Sequence, residues 1–326
     1  MECKEIPNLF VIGMPRSGTK LLRAILNNHS KIFIPDIEVV VIPRLLSRYG
    51  VSVLSEEDVN NVIRELKQSV FFFYYLKKSD FNFSNLKNGN SVREILSIMM
   101  QELAGSSNEY DFYGDKSPGN IDHPELLFSC FPKARFIHIV RDPRDYALSV
   151  NNAWGKSRVR AAVRWRESIQ KFLDAADVFE DRVLEVRYED LLESPAQTIL
   201  RCTNFLGLNY EPDMIKLSTS VENLGDARSA SIEKGNKGKY EKLMSPRGLR
   251  LIEDYTAPLL DYYGYPHSSC LGIAKKPPYF FLKLLSILDA ITLIRFNIKW
   301  YGFYGGIRKL ISGFRSMTGR YDREKI

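Results

Sequence analysis

"LFVIGMPRSGTKLLRAIL", residues 9–26, decides the fold. A short apolar run ends in a glycine-containing turn. An amphipathic pattern follows, with Leu21, Leu22, Ile25 and Leu26 on one face. This reads as a buried strand, a tight loop and a helix packed back on a sheet. Gly13 and Gly18 have the spacing of the G-x-x-x-x-G-K-[ST] loop, where the Lys neutralises terminal phosphates and the next hydroxyl binds Mg²⁺. Here Thr19 precedes Lys20, and Arg16 stands inside the loop. Backbone N–H groups in such a turn, together with a helix N-terminus, make an anion nest. The loop is expected to hold an anion without the magnesium hydroxyl; the plain alternative is a strand-to-helix turn.

Outward from this stretch, "KIFIP" (31–35), "RFIHIV" (135–140) and "RVLEVRY" (182–188) read as further buried strands. "RDYALSVNNAW" (144–154) and "SPAQTILRCTNFLGL" (194–208) read as helices between and after them, the second entered by an N-cap serine and a first-turn proline. The alternation predicts a three-layer α/β fold, a parallel sheet flanked by helices with right-handed crossovers. Residues 50–110 break the rhythm. "SEEDVNNVIRELKQSVFFFYYL" (55–76) starts with a capping sequence and runs into five aromatics, Phe71 to Tyr75; "SVREILSIMMQELAG" (91–105) is a second helix ending at Gly105. We read 50–110 as a helical insertion, either over the mouth of the sheet or a packing layer.

The chain has 326 residues, 44% hydrophobic and 26% charged, enough for one large globular domain. Its net charge is +7. Residues 275–326 carry 11 Lys/Arg and 3 Asp/Glu, a net of +8, which leaves −1 for residues 1–274. A near-neutral body argues against a general nucleic-acid binder. We therefore divide the chain into a domain at 1–274 and a basic amphipathic segment at 275–326. Cys3, Cys130, Cys202 and Cys270 form no C-x-x-C pair and read as free thiols of a reducing cytosol. The first apolar run ends in the glycine loop and reads as a strand, so no secretory signal is expected and the location is taken as cytoplasmic.

Ligands of parallel sheets bind beyond the carboxyl ends of the strands. Four polar segments are placed there: the Gly13–Lys20 loop, "PDIE" (35–38), "GDKSP" (114–118) and "RDPRD" (141–145). A donor with less charge on its transferred group tolerates the missing Lys-Ser/Thr pair. A phosphosulfate fits, since a sulfuryl group carries one negative charge fewer than a terminal phosphoryl. A metal-dependent kinase is the rival class, with Asp142 of "IHIVRD" as its metal residue, one place late after Arg141. A nucleotide-binding interaction module is the non-enzymatic alternative. No metal site is read from the sequence.

These segments resemble sulfotransferases that use 3′-phosphoadenosine 5′-phosphosulfate (PAPS). "GMPRSGTKLLRAIL" is similar to their 5′-phosphosulfate loop, which implies donor contacts from Pro15, Arg16, Ser17, Gly18, Thr19 and Lys20. "RFIHIVRDPRDYALSV" resembles the 3′-phosphate segment, which implies that Arg141 and Ser149 hold that phosphate. "LEVRYEDLLESPAQTILRCTNFLGL" matches the family's strand–Tyr–Glu–Asp segment and puts Tyr188 near the adenosine. "KGNKGKYEKLMSP" (234–246) resembles the late loop over the nucleotide, with Lys237 and Gly238. "IEVVVIPRLL" (37–46) is similar to a stretch of tyrosylprotein sulfotransferases in which the Glu at the position of Glu38 is the catalytic base. "GDKSP" resembles their lysine segment, which implies Lys116 beside the leaving group and Arg16 as the second fixed cation. The Arg those enzymes carry two residues after the Glu is Val40 here, which points away from a protein tyrosine. A carbohydrate or glycolipid hydroxyl is the expected acceptor, a reading that membrane recruitment through the C-terminal segment would favour. The plain readings stay open: Glu38 as a surface carboxylate, and Lys116 paired only with Asp115 or Asp142. His123 is the rival base. His29 and His138 read as structural.

"YFFLKLLSILDAITLI" (279–294) is too short to span a membrane and carries Lys283 and Asp289. Lys283, Ser286 and Asp289 recur every third residue, a polar stripe on an apolar helix. "RFNIKWYGFYGGIRKLISGFR" (295–315) then interleaves aromatic and basic residues. The segment is either interfacial, on the anionic inner face of a membrane, or docked on the body or on a second subunit of a homodimer.

Overall fold

The computed structural model describes residues 6–36, 38–69, 81–105, 109–219, 231–268 and 276–318. The aromatic run Phe71 to Tyr75, Cys3 and Cys270 lie outside them. The chain divides into two compact units, Met1–Asp142 with Glu167–Lys237, and Pro143–Arg166 with Gly238–Ile326.

The first unit holds a five-stranded parallel sheet: β1 (Leu9–Ile12), β2 (Ile32–Phe33), β3 (Phe112–Asp115), β4 (Arg135–Val140) and β5 (Val183–Arg187), in the order β2-β3-β1-β4-β5. Phe10 lies opposite Asp115 on one side and Phe136 on the other, which aligns the carboxyl ends of these strands along one edge. From β1 the chain crosses to the β2–β3 side, then returns to β4 and β5. The reversal falls at β1, where open α/β sheets place their ligands. β3 is the strand the sequence reading did not name. Its four residues include Gly114 and end in a buried aspartate, so no apolar run marks it.

The helices are α1 (Thr19–Asn27), α2 (Ile42–Tyr49), α3 (Glu56–Lys67), α4 (Val92–Ala104), α5 (Pro124–Cys130), α6 (Pro143–Trp154), α7 (Arg158–Ala176), α8 (Tyr188–Glu193), α9 (Pro195–Leu206), α10 (Tyr240–Leu243), α11 (Pro246–Tyr262) and α12 (Tyr279–Thr318), the last kinked at Gly302. β1 is buried on both faces, as a central parallel strand must be. Leu9 and Val11 join a core with Leu22, Ile25 and Leu26 of α1 and Ile199, Cys202 and Leu206 of α9. Phe10 stacks on Phe136 at 5.1 Å and also meets Phe131. α3 and α4 begin as their sequences require, with Ser55 Oγ accepting from Asp58 N and Ser91 Oγ from Glu94 N. Ser194 occupies the N-cap of α9, but its side chain makes no capping bond.

In the second unit, Arg144 at the start of α6 is fully buried against Glu253 of α11, Nη1 to Oε1 2.5 Å, and lies 4.0 Å over the Tyr240 ring. Burial pushes the Glu253 carboxyl up, but the Arg144 bond and the Ser268 N–H outweigh it and hold the group below its usual range.

Candidate active site

The glycine loop is built by close approach. Gly18 has φ 90°, and a Cβ there would lie 2.3 Å from Cδ2 of Tyr188. A Cβ on Gly13 would lie 2.5 Å from the Ile139 carbonyl oxygen. Arg16 also adopts a left-handed backbone, φ 74°, unusual for a residue with a side chain. α1 starts at Thr19 with no side-chain cap, so its first N–H groups are offered by the loop itself. Ser17 is fully buried, and its Oγ has no hydrogen-bond partner among the described residues. A buried orphan hydroxyl inside a nest of backbone donors fits an anionic ligand.

Beside this loop the ends of β2 and β3 bring together residues 78 apart in sequence. Lys116 Nζ donates to Glu38 Oε1 at 2.7 Å; the lysine is buried, and the glutamate side chain is 35% exposed. Asp115 fixes the pair. Its Oδ1 accepts from Val39 N (3.1 Å) and Ser117 Oγ (3.0 Å), and Oδ2 accepts from Asn120 Nδ2 (2.8 Å). One carboxylate thus ties the backbone next to Glu38 to the segment carrying Lys116. Burial raises the Asp115 carboxyl above its usual range against the pull of these donors. The sequence reading treated Asp115 only as an ion-pair partner of Lys116. A charged residue closing a strand at the carboxyl edge was the available signal.

At the end of β4, Arg141 is buried. Its Nη1 donates to the Arg16 carbonyl and Nη2 to the Asn236 carbonyl, both at 3.0 Å. The guanidinium lies 4.7 Å over the Tyr188 ring, and Asn236 Nδ2 donates to Tyr188 Oη at 2.9 Å. Arg141 therefore connects the glycine loop, the late loop and the aromatic that covers Gly18. Asn236 was not singled out from the sequence, because a main-chain carbonyl contact leaves no trace in residue type.

The chain matches the sequence model of the sulfotransferase family over residues 7–212. It belongs to the sulfotransferase family. Over 283 residues it is 24% identical to protein-tyrosine sulfotransferase A of Caenorhabditis elegans, covering 79% of this chain and 67% of the relative. An uncharacterized protein of Aquifex aeolicus (strain VF5) is 24% identical over 263 residues, 78% of this chain; the match spans about a third (32%) of that longer protein. The sulfotransferase domain of the Synechococcus PCC 7002 olefin synthase shares the fold, with a TM-score of 0.57, 23% identity, 80% of this chain and 95% of that one covered.

The remaining residues singled out in the sulfotransferase fall as follows. Pro15 and Lys20 are partly buried and Thr19 is buried, Pro15 within the loop and Thr19 and Lys20 on the first turn of α1. Lys237 forms an ion pair with Glu193. Ser149 and Gly238 belong to the second unit: Ser149 is partly buried on α6, and Gly238 N donates to Asp145 Oδ2 at 2.5 Å. His123 is exposed at the N-cap of α5. His29 is buried, with Lys31 N donating to Nδ1 and Nε2 facing the Asn209 carbonyl, both at 2.9 Å. His138 Nδ1 lies 2.8 Å from Glu185 Oε1 inside the sheet. Asp142 spends its backbone N–H on Glu189 Oε1 at 3.1 Å, which gives the Tyr–Glu–Asp segment a structural task.

Proposed function

We propose that this sulfotransferase transfers the sulfuryl group of PAPS to a hydroxyl of a carbohydrate or glycolipid. The observation that carries the reading is the Glu38–Lys116 pair, 2.7 Å apart at the ligand edge of the sheet. Bound PAPS supplies a sulfur whose bond to the bridging oxygen breaks as the acceptor oxygen bonds to it in line, the electron pair leaving with the 5′-phosphate. Glu38 takes the acceptor proton as that bond forms, a contribution of about 10²–10⁴ in rate. Lys116 holds the carboxylate in place at the ligand edge. Its ammonium has three N–H donors, so it serves Glu38 and the leaving oxygen together. Arg16 and Lys20 neutralise the phosphosulfate in place of a metal, Ser17 and Thr19 donate hydrogen bonds to it, and Pro15 and Gly18 shape the turn. Arg141 and Ser149 hold the 3′-phosphate, Tyr188 lies against the adenosine, and Lys237 and Gly238 close over the nucleotide.

We assign this chemistry to a body at 1–274, with the 50–110 insertion as the acceptor cap. In support, Glu65 of α3 accepts from Arg48 (2.9 Å) and Tyr49 (3.2 Å) and lies 3.1 Å from Arg44, all on the helix that follows Glu38. The buried thiols Cys130 and Cys202, both unpaired, suit a cytoplasmic enzyme. Val40 is 45% exposed where the tyrosylprotein enzymes carry an arginine, which weighs against a protein tyrosine as acceptor. Tyrosine sulfation is the second reading, favoured by the Caenorhabditis elegans relative. Transfer of ³⁵S from PAPS to a panel of glycans, glycolipids and tyrosine peptides, in EDTA, separates them. Label on a glycan or glycolipid is expected. Label on the peptide alone overturns the acceptor assignment, and transfer that requires Mg²⁺ overturns the donor chemistry.

A further inference from the structure

The segment before Gly302 in α12 is amphipathic in an inverted sense. Its polar side is turned into the protein. Asp289 is buried, its Oδ1 accepting from Ser157 N at 2.7 Å and its Oδ2 from Arg160 Nη1 at 2.5 Å. One turn on, Thr292 packs against Gly155, where a Cβ would lie 2.5 Å from its methyl carbon. Asn297 is buried as well. The opposite side is apolar and exposed. Phe280 (74%), Leu284, Ile287, Leu288, Ile291 and Ile294 follow helical spacing, and Asp289, nine residues from Phe280, stands about two and a half turns on, on the far face. An ordinary surface helix is the reverse.

The charges are sorted in the same way. Asp289 is the sole acidic residue from 275 to 321, and it is the one consumed by docking. Lys283, Arg295 and Lys299 are exposed among the apolar residues, in a segment of net +8. The outward side thus presents large apolar side chains and positive charge with no acid. Among the described residues no helix is long and apolar enough to cross a membrane.

We infer that this face of α12 docks the enzyme on an anionic lipid surface, lying in the headgroup plane while the Asp289 side remains fixed to the protein. Apolar burial and attraction of cations to anionic headgroups are the two terms such a helix needs. A second copy of the chain is the less suited occupant, because pairing these faces would bring two +8 segments together. The inference rests on α12 and is independent of which acceptor the enzyme uses.

The test is co-sedimentation of the full chain with vesicles of phosphatidylcholine alone or of phosphatidylcholine with one quarter phosphatidylserine. Binding to the anionic vesicles is expected to exceed binding to the neutral ones by at least about tenfold at low salt and to fall as salt rises. Leu284→Glu with Ile291→Glu, both at exposed positions, should abolish it. Lys283→Gln with Lys299→Gln should weaken it with the apolar face intact. Unchanged melting temperature shows that the variants fold. No binding to either vesicle, or binding that the two glutamates leave unchanged, overturns the proposal. So does a lipid-free dimer in sedimentation velocity that the same glutamates dissociate, if vesicles remain unbound.

Discussion

Glu38→Gln is expected to lower kcat about 100-fold or more and to leave nucleotide affinity nearly unchanged. The amide keeps the side chain's shape and an oxygen for Lys116 Nζ to bond, so the pairing now seen at 2.7 Å has a substitute. What disappears is the basic electron pair that takes the acceptor proton. Asp115 still anchors Val39, so the segment is not expected to move. His123→Ala supplies the contrast: the histidine is exposed at a helix start, and its loss should change turnover little. The comparison is steady-state kcat for both variants beside titration calorimetry of each with 3′-phosphoadenosine 5′-phosphate. Full activity in Glu38→Gln together with loss in His123→Ala would reassign the base to the histidine.

Arg144→Ala should have the largest effect on stability, about 3–5 kcal/mol, because it strands a fully buried carboxylate. Glu253 would keep the Ser268 N–H but lose the 2.5 Å guanidinium bond, and the Pro266 carbonyl and the Tyr240 ring would lose their cation. The melting temperature should fall on the order of 10 °C. Glu253 is held below its usual range in the folded protein, so its stabilisation is present above the ordinary carboxylate range and disappears as pH falls through the lowered value. The gap between wild type and variant should therefore narrow on acidification. Arg144→Met with Glu253→Leu removes both charges and should recover much of the loss. Equal melting temperatures for wild type and Arg144→Ala would show that the buried pair contributes nothing.

The parts of the fold that were legible are those marked by residue type. β1 is an uninterrupted apolar run and β4 an apolar run broken only by His138 after its opening Arg135; both are buried on two sides. Gly13 and Gly18 announce a loop whose close contacts exclude a Cβ. β3 was illegible, since Gly114 and Asp115 fill half of it and Asp115 is tolerated only because three donors reach it. Glu38 and Lys116 were named from a resemblance. Their adjacency depends on β2 pairing with β3, which spacing along the chain does not encode. The tail shows the limit most clearly. Its polar stripe was visible, but which face turns inward depends on Ser157 and Arg160, about 130 residues away.

Titration calorimetry of wild type in EDTA should show binding of 3′-phosphoadenosine 5′-phosphate without any metal. Adenosine 5′-phosphate lacks the 3′-phosphate and should bind roughly 10- to 150-fold more weakly, the worth of a charged hydrogen-bonded contact of about 1.5–3 kcal/mol. Arg141→Ala also gives up the Arg16 and Asn236 carbonyls, so both nucleotides should weaken. The decisive reading is the ratio between them, which should collapse toward one in the variant. Equal affinity of wild type for the two nucleotides would contradict the assignment of Arg141 and with it the PAPS site.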